Sequence, residues 1–120
     1  AKHLIRKGFV QQPTYFNFIL GSLGTMKVLS DNLRYLVSQL PAFSIWSAFG
    51  KFHDKVQDMA AAMGGGIKTG LEDSLSLKID KQLLASDSDW IRRALEAATR
   101  NGREIATTRD VRQWLEMDAA

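Results

Sequence analysis

The chain has 120 residues, 45% of them hydrophobic and 24% charged, which fits one compact domain over residues 1–120 and argues against long disorder. The absence of cysteine excludes disulfides and thiolate metal sites and favours a reducing compartment, so we expect a cytoplasmic protein. The net charge is +3, but acidic and basic residues are interleaved along residues 89–116. Such interleaving is typical of solvated helix faces and argues against binding to nucleic acid or to a membrane surface.

The N-terminal region predicts a short helix and then a strand. Leu4 and Ile5 fit the last turns of a helix that ends at Gly8. The aromatic and aliphatic run at 15–20 predicts a strand that is buried on both faces, and it ends in a loop with two glycines at 21–25.

Two predicted helices flank a second predicted strand. Ser30 can cap the first of these helices, which has one apolar stripe: Leu33, Leu36, Val37 and Leu40. The run at 44–49 predicts the strand, which ends at Gly50. The segment 54–63 predicts the second helix, with an apolar side made of Val56, Met59, Ala60 and Met63.

The last third of the chain predicts one more strand and two helices. The strand covers 67–71 and runs directly into Glu72 and Asp73. Asp87 or Ser88 can cap the long helix that follows, and a capping box at 107–110 predicts the start of the last helix. The three tryptophans are at apolar positions and are predicted to be core residues: Trp46, Trp90 and Trp114.

Strands that alternate with helices indicate an α/β fold with right-handed crossovers and a parallel sheet. Three parallel strands leave both edges of the sheet open. The sheet therefore either continues on another stretch of polypeptide or belongs to a larger barrel.

Function in parallel α/β folds collects at the carboxyl ends of the strands. The adjacent carboxylates of Glu72 and Asp73 are the sharpest signal there, because a strand end can hold a metal ligand and a general base rigidly. Successive strand residues point to opposite faces, so we expect the two side chains to diverge. The alternative is that they begin a solvated loop or cap a helix.

Lys68 is predicted to face a wet active-site cavity or to be an ordinary edge-strand lysine. The glycine loops at 21–24 and at Gly50 suit the approach of backbone N–H groups to a carboxylate or phosphate. His3 and His53 are the only histidines, and they form no zinc motif of known spacing.

The sequence resembles the β-keto acid cleavage enzymes. The matching segments are 16–21 with Gly24, Trp46 and Ser47 with Gly50, 65–73, and 102–107. The Gly-Leu-Glu-Asp element at 70–73 and the segment 102–107 are together fairly specific for this family, although each alone would be a weak match. The resemblance covers the whole chain, as the C-terminal part of a barrel more than twice as long.

The resemblance implies three βα units of a (β/α)8 TIM barrel plus C-terminal helices, and a divalent metal, usually zinc. It implies an acyltransferase that converts a β-keto acid and acetyl-CoA into acetoacetate and a second acyl-CoA. By motif, Glu72 corresponds to the metal ligand and Asp73 to the general base, with Lys68 beside it. Substrate contacts are predicted at Gly21, Gly24, Ser47 and Lys51. The expected partners are small molecules and either a second copy of the chain or the rest of the barrel.

The chain also departs from the family pattern. Lys68 stands where the family commonly has arginine, and Ser74 where it usually has asparagine. The loop 50–53 differs from the usual Gly-Ile-Gly-Arg, and the family's two metal-binding histidines belong to an earlier strand outside these residues. The alternative is therefore a degenerate, non-catalytic relative that serves binding or assembly.

Overall fold

The computed structural model describes residues 1–50, 53–76 and 84–117, and in these residues helices and strands alternate as predicted. The elements are α1 (Lys2–Arg6), β1 (Thr14–Leu20), α2 (Ser30–Ser38), β2 (Ser44–Gly50), α3 (His53–Ala62), β3 (Gly66–Ile67), α4 (Asp87–Arg100) and α5 (Thr108–Trp114). No helix in the described parts of the chain is both long and apolar enough to cross a membrane.

The three strands form one parallel sheet in the order β1-β2-β3, which confirms the predicted α/β class. β1 and β2 pair along their whole length, from Thr14 opposite Ser44 to Leu20 opposite Gly50. At the end of that ladder the φ of Gly50 is +156°, and a side chain there would collide with the carbonyl of Leu20. Glycine is therefore required where the two strands end together.

The third strand is shorter than the sequence predicts. β3 has two residues, and they pair with Ser47 and Ala48 of β2. In the same register the last residue of β2, Gly50, would lie opposite Thr69, so β2 offers no backbone to Gly70 and beyond. The prediction of a strand over 67–71 was wrong beyond Ile67, where the chain continues as a loop.

One face of the sheet is covered by α2 and α3. The buried core beneath them consists of Leu20, Val28, Leu33, Trp46, Ala48, Val56, Met59 and Ala60. The predicted apolar stripes of both helices are confirmed, because Leu36, Val37, Leu40 and Met63 pack against this core as well.

The opposite face of β1 is open in the described structure. Burial alternates along the strand, and Tyr15 and Ile19 are about half exposed. The prediction of a strand buried on both faces was therefore wrong for this chain. Alternation is the normal result when helices cover only one side of a sheet.

Helix α4 packs on α3 through Trp90, Ala97 and Ala98, and ion pairs join the two helices at their surface. Its cap is Ser86, whose side chain forms a capping box with Asp89, and not the predicted Asp87 or Ser88. The N-cap of α2 is likewise not the predicted Ser30 but the residue before it, Leu29, which makes no side-chain capping hydrogen bond.

The capping box predicted for α5 is confirmed, with Thr107 and Asp110 bonded reciprocally. The core prediction holds for Trp46 and Trp90, which are buried, but was wrong for Trp114, which is 52% exposed. Helix α5 has no buried residue, so its apolar positions have little to pack against within the described residues.

Candidate active site

Three charged side chains meet just beyond β3. The Lys68 ammonium nitrogen lies 2.8 Å from Oε1 of Glu72 and 2.6 Å from Oδ2 of Asp73. We call these three residues the charged cluster and the segment 68–74 that carries them the acidic loop. Because β1, β2 and β3 are parallel and the cluster follows the end of β3, it lies at the carboxyl edge of the sheet.

The two acids do not diverge as residues of a strand would. They belong to a turn in which the Asp73 N–H donates to the Gly70 carbonyl, and both carboxylates converge on Lys68. Their surroundings differ, because the Glu72 side chain is 64% exposed and that of Asp73 only 9%. The expectation of opposite faces was wrong, since the strand ends before the acids.

Lys68 has a third contact, with the aromatic ring of Phe49 on β2. Its ammonium nitrogen is 4.3 Å from the ring centroid, which is a cation–π distance. Burial of Lys68 disfavours its charged form, but hydrogen bonds and opposite charges from Asp73 and Glu72 outweigh burial and raise its pKa above the ordinary value. The lysine is therefore a fixed positive charge at neutral pH.

The acidic loop is fastened by side chains from α3 and α4. Gln57 donates to Oγ1 of Thr69 at 3.1 Å, and the indole N–H of Trp90 donates to the Ser74 carbonyl at 3.0 Å. Asp87 accepts a hydrogen bond from the backbone N–H of Leu71 at 3.2 Å.

The sequence did not predict that Gln57 would hold this loop. It predicted a helix cap at Asp87 and a core position for Trp90, and neither prediction included a contact with the loop. The signal for Gln57 was present, because a polar residue stands on the apolar side of α3, next to Val56 and three residues before Ala60. Gln57 is 2% exposed. A buried polar side chain of this kind needs a hydrogen-bond partner.

The first glycine loop uses some of its own polar groups. The Gly21 N–H donates to the Met26 carbonyl and the Ser22 N–H to the Thr25 hydroxyl, at 2.7 and 2.9 Å. Those two N–H groups are therefore engaged within the loop, whereas Gly24 is exposed. Ligand contacts by Gly21 and Gly24 stay predictions.

The other two predicted substrate contacts differ in where they lie. Ser47 is fully buried in β2, and its hydroxyl donates to Oδ1 of Asn17 at 2.8 Å. Lys51 lies outside the described residues. Both contacts stay predictions.

The charged cluster provides only part of a binding site for a divalent cation. Glu72 carries an exposed carboxylate, and carboxylate oxygens are suitable ligands for such cations. Within residues 1–50, 53–76 and 84–117 there is no group of three histidine, cysteine or acidic side chains placed to hold a metal. Glu72 could contribute one ligand of a metal site, and the other ligands would have to come from outside the described residues.

A surface cleft of about 470 Å³ lies at the opposite end of the sheet, where β1 and β2 begin. Pro13, Phe43, Trp114 and Glu116 are among the residues that line it. Chemistry in parallel α/β folds is built at the carboxyl ends of the strands, so this cleft is not the candidate active site.

The fold and the site define an α/β protein with ionisable side chains gathered at the carboxyl edge of a parallel sheet, where α/β enzymes place their active sites. The chain belongs to the beta-keto acid cleavage enzyme family, whose model matches residues 1–117. The resemblance seen in the sequence is thereby confirmed.

Characterised relatives agree with this family. The chain is 33% identical to a 3-keto-5-aminohexanoate cleavage enzyme of Fusobacterium nucleatum over 93% of its residues, and 30% identical to one of Acetoanaerobium sticklandii over 96%. It is 25% identical to a 3-dehydrocarnitine:acetyl-CoA trimethylamine transferase of Rhizobium meliloti over 98%. The chain spans only 41%, 42% and 39% of the length of these relatives.

Proposed function

We propose that this chain is part of an enzyme that converts a β-keto acid and acetyl-CoA into acetoacetate and the CoA ester of the remaining fragment. Asp73 is the proposed general base, with Lys68 as its cationic partner, and Glu72 is the proposed metal ligand. The observation that carries the proposal is the charged cluster itself, in which a nearly buried carboxylate lies 2.6 Å from an ammonium at the carboxyl edge of the sheet.

We also propose that residues 1–120 form one domain portion, the last three βα units of a (β/α)8 barrel with its C-terminal helices. Two observations support this. The sheet face that α2 and α3 do not cover is partly exposed at Tyr15 and Ile19, as the inner face of an incomplete barrel would be. The relatives are more than twice as long as this chain.

The residues of the cluster fit this reaction. Asp73 holds its carboxylate almost out of water and in a fixed position beside Lys68, so it is placed to accept a proton from a bound substrate. Lys68 stays positively charged, so it balances the Asp73 carboxylate and can attract a substrate carboxylate.

A divalent cation, zinc in the simplest case, supplies Lewis-acid polarisation of a carbonyl when bound. Glu72 is the residue of this chain that would hold it, because its carboxylate is the exposed one of the pair. The remaining ligands are proposed to lie in the part of the protein beyond these 120 residues.

Substrate contacts are proposed at Gly21 and Gly24, which follow β1, at Ser47 within β2 and at Lys51, which comes after β2 in the sequence. Acetyl-CoA is the proposed co-substrate, in keeping with the name of the Rhizobium meliloti relative. A second copy of the chain or the rest of the barrel is the proposed protein partner, and the expected location is cytoplasmic.

The test uses the full-length protein with a β-keto acid and acetyl-CoA and measures acetoacetate. We expect Asp73→Asn to lower kcat by at least about 100-fold, the usual contribution of a general base, while the control Asp31→Asn leaves the rate unchanged. Asp31 is a matched control because it is an exposed acid paired with Arg34 on α2. Equal rates for the wild type and Asp73→Asn would refute the proposed role.

Metal content gives a second, separate test. The full-length protein, purified without added metal, is expected to retain about one zinc per chain and to lose it in Glu72→Gln. Glu96→Gln on the exposed side of α4 is the control and is expected to retain the metal. A protein that never holds stoichiometric metal and shows no turnover would instead support the non-catalytic alternative.

A further inference from the structure

We infer that Gln57, Asp87 and Trp90 are positioning residues, which hold the acidic loop so that the charged cluster keeps its geometry. The inference rests on the proposed function of the cluster for its catalytic meaning. The structural coupling between the three tethers and Lys68 can be tested without any assay of turnover.

The acidic loop needs tethers because it lies beyond the ladder of the sheet. Among the described residues, its backbone hydrogen bonds are one from the Lys68 N–H to the Ala48 carbonyl and one that closes the turn from Asp73 to Gly70. Two such bonds leave most of the loop free to rotate relative to the strands. The position of the acids therefore depends on side-chain contacts.

The tethers are arranged so that each one fixes a direct neighbour of a cluster residue. Gln57 bonds to Thr69, which adjoins Lys68. Trp90 bonds to the carbonyl of Ser74, which adjoins Asp73.

The third tether follows the same rule, since Asp87 bonds to the N–H of Leu71, which adjoins Glu72. All three members of the charged cluster are thus fixed through a residue directly adjacent to them in the chain. A loop whose position is set at three separate points can hold its charged groups within the small tolerance that catalysis requires.

Burial makes two of the tethers rigid. Gln57 and Trp90 are each 2% exposed, so water cannot readily replace their hydrogen bonds. Both side chains belong to helices that pack on each other, so α3 and α4 together form the support of the loop. The loop is thereby coupled to the core of the protein.

The experiment measures how fast Lys68 is acetylated by trace acetic anhydride, relative to Lys55, with peptides quantified by mass spectrometry. Lys55 is an exposed lysine on α3 and serves as an internal reference. In the wild type the ion pairs protect Lys68. Removing one hydrogen bond of the Gln57 tether, by Gln57→Leu or Thr69→Val, is expected to raise the Lys68 to Lys55 ratio about threefold or more.

Two further variants separate a specific tether from general destabilisation. Thr69→Ser retains the hydroxyl and is expected to restore the wild-type ratio. The double variant Gln57→Leu with Thr69→Val is expected to match either single variant, because both substitutions break the same bond. Trp90→Phe removes the indole N–H at the other end of the loop, together with part of the buried ring, and is expected to raise the ratio as well.

Thermal unfolding by circular dichroism shows which variants are folded at the labelling temperature. If Gln57→Leu does not fold, the comparison of Thr69→Val with Thr69→Ser gives the answer, because Thr69 is only partly buried. An unchanged ratio in folded Thr69→Val would overturn the inference. Failure of the proposed function is distinguishable, because it would appear as unaltered acetoacetate formation in Asp73→Asn whatever the labelling ratios are.

Discussion

The Lys68 ammonium lies 2.6 Å from Oδ2 of Asp73, a carboxylate whose side chain is only 9% exposed. A carboxylate with so little contact with water depends on an opposite charge nearby. Lys68 provides that charge, and its own side chain is one-third exposed. The pair therefore links the stability of the acidic loop to the chemistry proposed for it.

Removing the lysine is expected to destabilise the protein. Lys68→Met should lower the free energy of unfolding by about 1–2 kcal/mol, less than the 3–5 kcal/mol typical of a fully buried pair, because Lys68 is partly hydrated. Urea unfolding followed by circular dichroism measures the change. Lys55→Met on the exposed side of α3 is the control, with an expected effect within about 0.5 kcal/mol. Equal stability of Lys68→Met and the wild type would show that Asp73 does not rely on Lys68.

The same pair predicts how stability depends on pH. Burial lowers the pKa of Lys68, but the hydrogen bonds and charges of Asp73 and Glu72 raise it by more, so its folded-state pKa exceeds its unfolded value of about 10.4. The stabilisation from Lys68 is therefore complete below that unfolded pKa and disappears as the pH rises through the folded-state pKa. The stability gap between the wild type and Lys68→Met should narrow as the pH rises above about 10.4, the unfolded-state pKa of lysine.

Urea midpoints of both proteins, measured at several pH values, give this gap directly. Other groups that titrate in alkali are present in both proteins and cancel in the comparison. A gap that stays constant over the alkaline range would contradict the pKa shift assigned to Lys68.

The core leaves no room for a side chain at Gly65. It is buried, and a methyl group built on it would fall among the ring atoms of Trp46, which is 8% exposed and cannot withdraw. Gly65→Ala should therefore destabilise the protein by about 1–3 kcal/mol, the usual cost of overpacking.

The neighbouring Gly66→Ala is the matched control. Its methyl group would meet Cβ of Ser47 at 3.4 Å, an ordinary contact distance. Thermal unfolding of both variants should show a clearly lower midpoint for Gly65→Ala than for Gly66→Ala. Similar midpoints would mean that the Trp46 ring moves to make room for the added methyl group.

The elements with the strongest periodic patterns were predictable from the sequence. β2 was placed within one residue, and α2 and α3 bury the apolar residues that their spacing predicts. These features depend on which side chains face a core, and that information is local. The capping box of Thr107 and Asp110 is local as well, since both partners lie in one turn.

The arrangement of the site depended on information that is not local. The strand predicted over 67–71 could not have paired beyond Thr69, because β2 ends at Gly50, 16 residues before β3 begins at Gly66. The convergence of two acids on Lys68 follows from that early end, and the tether from Gln57 to Thr69 joins a helix to a loop. Sequence patterns predicted the residue types of the site, whereas their geometry required the tertiary structure.

The start of α4 allows a direct comparison between a predicted and an observed cap. Ser86 accepts a hydrogen bond from the backbone N–H of Asp89, and the Asp89 carboxylate accepts one from the Ser86 N–H in return. Ser86→Ala removes the capping hydroxyl and should cost about 1 kcal/mol of stability. Ser88→Ala, at a residue that the sequence also suggested as a cap, should have little effect because Ser88 is exposed inside the first turn.

Chemical unfolding of the two variants, at neutral pH and constant ionic strength, gives both values. The Ser86 hydroxyl and N–H lower the pKa of Asp89, so the capping box is complete at neutral pH, and it is lost when the pH falls through that lowered pKa. The stability difference between Ser86→Ala and the wild type should therefore shrink in strong acid. A larger loss for Ser88→Ala than for Ser86→Ala would contradict the observed cap and restore the one predicted from the sequence.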